Sequence, residues 1–146
     1  MKPSSVRFFL GAVGLTVLAA AANTCSNTYG AGSAEAQWFR SDVYAELAKV
    51  PEKDRNRVNP LENDPQGVAA GQILFQDHCS ECHGDDAKGA RKGPSLRASE
   101  VQRATPGTLF WVLTNGVVRR KMPSWSKLPE PQRWQLVRYL KSLGTN

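Results

Sequence analysis

Histidine, methionine and cysteine are scarce in this 146-residue chain, which holds two, two and three of them. Cys79 and Cys82 sit three positions apart and Cys25 lies far upstream, so no disulfide framework can be drawn, because an adjacent pair cannot staple a fold. Strand-like alternation and internal repeats are both lacking, which leaves helices and loops. Zinc-finger ligand spacing and RNP-like aromatic motifs are missing too, so the chain has no recognisable reader of nucleic acid. There is no phosphate loop, no nucleophile constellation and no catalytic acid/base pair. Asp85-Asp86 reads as a solvated loop tip. What the chain has in excess is positive charge, +6 with a pI of about 9.5. Such an excess speaks to solubility and partners rather than fold. Acidic protein partners and anionic lipid are the readings that stand beside a merely solvated basic surface.

The first residues read as a targeting segment. Lys2 and Arg7 precede an uncharged, mostly apolar run of 15 residues, Phe8 to Ala22. That is short of the roughly 20 residues of a spanning helix and suits a secretory leader. Ala20-Ala21-Ala22 and Ala34-Glu35-Ala36 each offer an A-x-A cleavage site. Cys25, just past the apolar run, adds lipidation as a third fate, although Thr24 is an unusual residue before a lipidated cysteine. Ordinary cleavage, lipidation at Cys25 and an uncleaved anchor stay open. All three export the chain, to the periplasm or the outer face of a bacterial inner membrane. Loss of residues 1–22 removes Lys2 and Arg7 and lowers the charge from +6 to +4.

Beyond the leader the chain divides into residues 1–36 as signal segment and linker, 37–64 as an N-terminal extension, and 65–146 as the folded domain. Ser41 to Val50 predicts one short helix capped by Ser41, with Val43, Leu47 and Val50 near one face. Pro51 to Pro65, with three prolines, reads as extended and poorly packed, so residues 23–64 are expected to act as a tether. Asp64 and Pro65 then look like the N-cap and first position of a helix whose apolar face is Val68, Gly71, Ile73, Leu74 and Phe75. This helix runs directly into His78 and Cys79. Gly84 to Lys92 reads as a loop and Gly93 to Leu96 as a turn. Thr105-Pro106 opens another helix that closes at Asn115-Gly116. Arg119 to Pro129 reads as a loop. A final helix from Pro131 to Gly144 carries Trp134, Leu136, Val137, Leu140 and Leu143.

The residues with chemistry are Cys79-Ser80-Glu81-Cys82-His83. Cys-x-x-Cys-His is the attachment signal for c-type haem: two thiols add to the two vinyl groups, and the histidine that follows at once is presented to iron. A thioredoxin-like dithiol would sit in a βαβ unit, which is not visible. Zinc would need a further ligand, and only His78 is at hand. With His83 as proximal ligand, the candidates for the sixth position can be counted. His78 adjoins Cys79 on the proximal side, which disfavours a bis-histidine site. Met1 belongs to the leader, so Met122 is the sole methionine of the mature chain, 39 residues beyond His83 and just before Pro123. A lone methionine is usually core filler; one in a loop downstream of Cys-x-x-Cys-His reads as the axial ligand. Thioether sulfur favours ferrous iron and raises the potential. It also fills the last coordination position. The domain proper, residues 65–144, holds 80 residues and buries a modest core by itself, so folding is expected to depend on haem.

Residues 65–144 resemble a class I, cytochrome c-like domain of the compact bacterial kind. The resemblance rests on Cys79 to His83, on Lys92-Gly93-Pro94-Ser95-Leu96 and on Lys121-Met122-Pro123-Ser124-Trp125. It implies an all-α fold wrapped around one haem c held through Cys79 and Cys82, with His83 and Met122 on iron. It also implies that the Pro94 carbonyl receives the His83 ring N–H, and that the first and last helices cross through Gly71, Phe75 and Tyr139-Leu140. The 64 preceding residues match nothing in the family pattern. Arg91, Lys92, Arg119, Arg120 and Lys121 are candidates to neutralise haem propionates or meet an acidic redox partner. Trp111 and Trp125 are expected on or near the haem. The expected function is a mobile or tethered single-electron carrier between exported or membrane-bound partners; the alternatives are a haem c subunit of a larger exported oxidoreductase and, third, a sensor or catalytic haem enzyme. Met122 argues against the third, since a six-coordinate iron has no open position. Cys82→Ser is expected to lose one thioether bond and to mature poorly, which the yield of holoprotein and mass spectrometry of the haem peptide would show.

Overall fold

A computed structural model describes residues 42–144; the leader, its cleavage sites, Cys25, the linker and the proposed cap Ser41 lie outside the described residues. Seven complete α-helices lie among the described residues, in the order α1 (Ala45–Ala48), α2 (Glu52–Arg55), α3 (Gly67–His78), α4 (Ser80–His83), α5 (Ser99–Arg103), α6 (Pro106–Asn115) and α7 (Glu130–Ser142), with a 3-10 turn at Val118–Arg120. Among the described residues there is no strand, only the isolated bridges Ala90–Gly93 and Val117–Met122. No described helix is long and apolar enough to cross a membrane.

The fold is organised by one helix crossing. α3 lies on α7, the most extensive contact between helices. Gly71 is what permits it. A Cβ there would stand 2.1 Å from the Gln135 carbonyl oxygen and 2.8 Å from Tyr139 Cβ. One turn on, the Phe75 ring meets the Tyr139 ring at 5.3 Å. The rest of the core is built on this pair, with Phe75, Trp134, Leu136 and Val137 essentially sealed from solvent. Each such side chain contributes up to about 1.5–3 kcal/mol by leaving water. Ile73 is not on this face: it is 64% exposed. At 100° per residue it falls two positions out of phase with both Gly71 and Phe75.

Helix ends follow local chemistry. The Thr105 hydroxyl accepts the Thr108 N–H at 3.2 Å, with Pro106 at the first helical position, so α6 begins where the sequence predicts. α3 begins at Gly67, two residues later than Asp64-Pro65 suggests, because the Asp64 carboxylate accepts from Gln66 N (2.9 Å) and closes a turn ahead of the helix. α5 had no sequence signal, and its N-cap, Ala98, offers no side-chain cap.

Residues 42–64 differ most from expectation. They are not a loose tether. Val50 and Asn59 are buried, and Asn59 Nδ2 donates to the Trp134 carbonyl at 3.1 Å. The Thr105 hydroxyl donates to the Arg55 carbonyl at 2.7 Å. Arg57 lies over the stacked Phe110 and Trp134 rings, 4.4 and 5.1 Å from their centroids, and pairs with Glu130 at 2.7 Å. Tertiary contacts here override three prolines, one of which (Pro51) sits just ahead of α2.

Gly71→Ala discriminates between two effects of opposite sign. Helix propensity alone would stabilise by about 1 kcal/mol. A backbone oxygen at 2.1 Å cannot yield without moving α7, so a net loss of about 2–3 kcal/mol is expected, read as a lower thermal midpoint of the holoprotein. Ile73→Ala should stay within about 0.5 kcal/mol of the parent.

Candidate haem site

α3 carries the chain to Cys79, and α4 continues it by one turn. Cys82 N and His83 N both bond back to the Cys79 carbonyl, at 3.1 and 3.0 Å. The loop after α4 then returns across His83. Gly89 N bonds to the His83 carbonyl at 2.8 Å, and Leu96 N bonds to the carbonyl of the fully buried Ala87 at 2.9 Å. This return brings the Pro94 carbonyl to 2.8 Å from His83 Nδ1. A carbonyl can only accept, so Nδ1 carries the proton and Nε2 is left with its lone pair. Burial pushes the His83 pKa below the usual imidazole range, opposed by the Pro94 hydrogen bond. Both nitrogens are thereby set, one as a donor to the protein and the other as a base. Gly93 makes the approach possible: a Cβ there would lie 2.8 Å from the Cys82 carbonyl oxygen and 3.0 Å from His83 Cε1 and Nδ1.

A second loop faces the first. It leaves α6 at Gly116 and folds back through paired Val117–Met122 bonds, 3.0 and 3.2 Å long. Ser124 Oγ donates to the Thr114 carbonyl at 2.6 Å and Trp125 N to the Leu113 carbonyl at 2.9 Å, which fastens the loop to the end of α6.

Between the loops lies a cavity of about 580 Å³, within the range of roughly 300–1,000 Å³ that holds small molecules and cofactors. Cys79, Cys82, His83, Pro94 and Met122 all stand on its wall. Leu96, Leu109, Leu113 and Leu136 make much of the remainder apolar. Trp125 also lines it, and its ring meets that of His78 at 5.0 Å. Trp111 does not line it, because Leu109, Val112 and Leu113 point α6 at the cavity and Trp111 falls on the other side of the helix.

Neither thiol is in a disulfide. Burial, aided by Cys82, pushes the Cys79 thiol up to about 12. A thiol held protonated is a poor thiolate ligand and a poor exchange nucleophile. Among the described residues, no three His, Cys, Asp or Glu side chains gather as a metal site. A nitrogen donor and a thioether sulfur on an apolar wall, with two thiols beside them, fit a haem better than zinc or a dithiol redox centre.

The basic residues are more committed than their sequence positions suggest. Arg119 pairs with Glu46 at 3.4 Å, Arg120 with Asp42, and Lys92 with Glu81 at 2.5 Å. Lys49, with Arg119 and Arg120 adding, holds the Glu46 carboxyl below the usual carboxylate range. Val43, Tyr44, Glu46 and Leu47 also line the cavity, a role the sequence did not disclose. The Val43/Leu47 pair was its one signal.

Residues 66–140 match the family described as cytochrome c oxidase, cbb3-type, subunit III. The chain belongs to this family. Among curated relatives it is 26% identical over 110 residues to the cbb3-type cytochrome c oxidase subunit CcoP of Rubrivivax gelatinosus, which covers 75% of this chain and 34% of the relative. It is 31% identical over 96 residues to the CcoP of Azospirillum sp. (strain B510), covering 60% and 32%. The chain thus spans about a third of the length of the curated relatives it matches. Among solved structures it resembles cytochrome cL of the marine methylotroph Methylophaga aminisulfidivorans, with a TM-score of 0.51 and 24% identity over 69% of this chain and 67% of that one. The fold is that of a class I, cytochrome c-like helical domain, a domain type whose cofactor is haem c.

Gly93→Ala tests how tightly His83 is held. The added Cβ meets backbone and ring together, so a loss of about 1–3 kcal/mol and a lower yield of haem-loaded protein are expected, measured by thermal unfolding and the haem absorbance per chain.

Proposed function

We propose that this chain is a monohaem c-type cytochrome that passes single electrons as the haem c subunit of a larger exported respiratory oxidoreductase. Cys79 and Cys82 are its thioether attachment points, and His83 and Met122 its axial ligands. The observation that carries the reading is the single cavity on which all four residues stand. The subunit assignment draws on the family and on relatives named as oxidase subunit CcoP. It is favoured here over a free carrier. Bound haem supplies one-electron chemistry at its iron.

The chain's own residues do the rest. The Pro94 carbonyl orients His83 and raises its donor strength. Met122 offers a thioether that favours the ferrous state. The leucine wall keeps water from the ring and so favours the less charged, reduced form. With both axial positions filled from the chain, the role is electron carriage and any catalytic centre lies on another chain. Residues 65–146 are the haem domain, preceded by the extension and an exported leader.

Met122→Ala should keep its haem, lower the midpoint potential and bind carbon monoxide quickly when reduced; an unchanged visible spectrum would remove Met122 from the iron. From solubilised membranes the chain should copurify with other redox subunits in fixed stoichiometry. Recovery of the chain alone would overturn the subunit assignment in favour of a free carrier.

A further inference from the structure

The cavity has a wall that lies ahead of the stretch matched by the family model. Val43, Tyr44, Glu46 and Leu47 line it, upstream of residue 66 where that match begins. This short segment is attached on both flanks of the site. On the His83 flank, the Tyr44 hydroxyl donates to the Ser95 carbonyl at 2.7 Å, one residue past the carbonyl that holds the His83 ring. On the Met122 flank, Asp42 pairs with Arg120 and Glu46 with Arg119, at the residues just ahead of Lys121 and Met122. Between those attachments Val43 and Leu47 present apolar surface to the cavity.

We propose that residues 42–47 form a dedicated wall of the haem cavity that holds the Met122 loop in its ligating position and dries the edge of the ring. The inference rests on the haem and Met122 assignments above. Asp42 and Glu46 act as positioning residues: they touch the loop, not the iron. Leu47 acts through the dielectric it imposes, since an apolar neighbour favours the ferrous state. Two cations of the loop are then already neutralised inside the chain, which leaves Arg91 and Lys121 as the rim cations without an ion-pair partner among the described residues.

The test uses the full haem-loaded chain and free imidazole as the probe, since imidazole must displace the sixth ligand of ferric iron to bind. Four samples are compared: the parent, Met122→Ala, the double variant Asp42→Asn/Glu46→Gln, and Leu47→Ser. Met122→Ala should bind imidazole more tightly because nothing competes. The double variant should gain about fivefold in imidazole affinity, the scale expected from loosening two exposed ion pairs. In the parent, about 1 M salt, where screening reaches ~3 Å, should reproduce that gain without any mutation. Leu47→Ser should lower the midpoint potential. If Met122→Ala responds but the double variant and the salt series do not, the wall does not hold the loop and the proposal is overturned. An unchanged potential in Leu47→Ser overturns it equally. If Met122→Ala itself shows no gain, the axial assignment fails first and the wall falls with it.

Discussion

The backbone of α7 passes so close to Gly71 that no side chain fits between the two helices, and the placement of nearly everything else follows from that contact. α3 is held at a fixed angle and height on α7 by Gly71 and by the Phe75–Tyr139 ring pair. Because Cys79 follows α3 immediately and α4 adds one turn, the Cys79–His83 motif inherits that position. α7 in turn supplies Leu136 and Leu140 to the cavity and Trp134 to the stack with Phe110. The crossing therefore sets the distance between the motif and the wall it faces. It does this with packing alone, which is short-ranged and intolerant of volume change, so the geometry of the site is as stiff as the core beneath it.

The two loops that meet at the cavity are restrained differently. The His83 loop is held by backbone bonds to buried groups, including Ala87 and the His83 carbonyl itself. The Met122 loop is fastened at its base to α6, and among the described residues its Arg119 and Arg120 pair with the half-buried Glu46 and the exposed Asp42. Pairs of this kind contribute little each and weaken with salt. Under this arrangement the His83 side of the cavity is stiffly held and the Met122 side is adjustable.

Much of this was legible from residue order, and the reasons are local. Cys79, Cys82 and His83 announce themselves because the chemistry demands adjacency. Thr105-Pro106 and Gly116 mark helix ends through their own backbone preferences. Counting methionines singles out Met122, which stands on the cavity wall. What resisted reading depended on phase or on distance along the chain. Ile73 and Trp111 are apolar residues two positions out of step with their helix faces, and a hydrophobic run does not show that. The pairing of Arg120 with Asp42 joins residues 78 positions apart. The packing of residues 50–60 was hidden by prolines that read as an extended tether, while Arg57 and Asn59 found partners on α6 and α7.

The Arg57 contact bears on how such a domain can be inherited. Its guanidinium flanks the Phe110–Trp134 stack, 4.4 and 5.1 Å from the two centroids, and the residues around it close over α6. The family model's match starts at residue 66, so the unit that packs reaches further upstream than that match. A graft of residues 66–140 alone would take Arg57 from both rings and leave Arg133, 4.7 Å from the Phe110 centroid, as the remaining cation. A transplanted domain keeps both of its guanidinium contacts on these rings only when the segment around Arg57 travels with it.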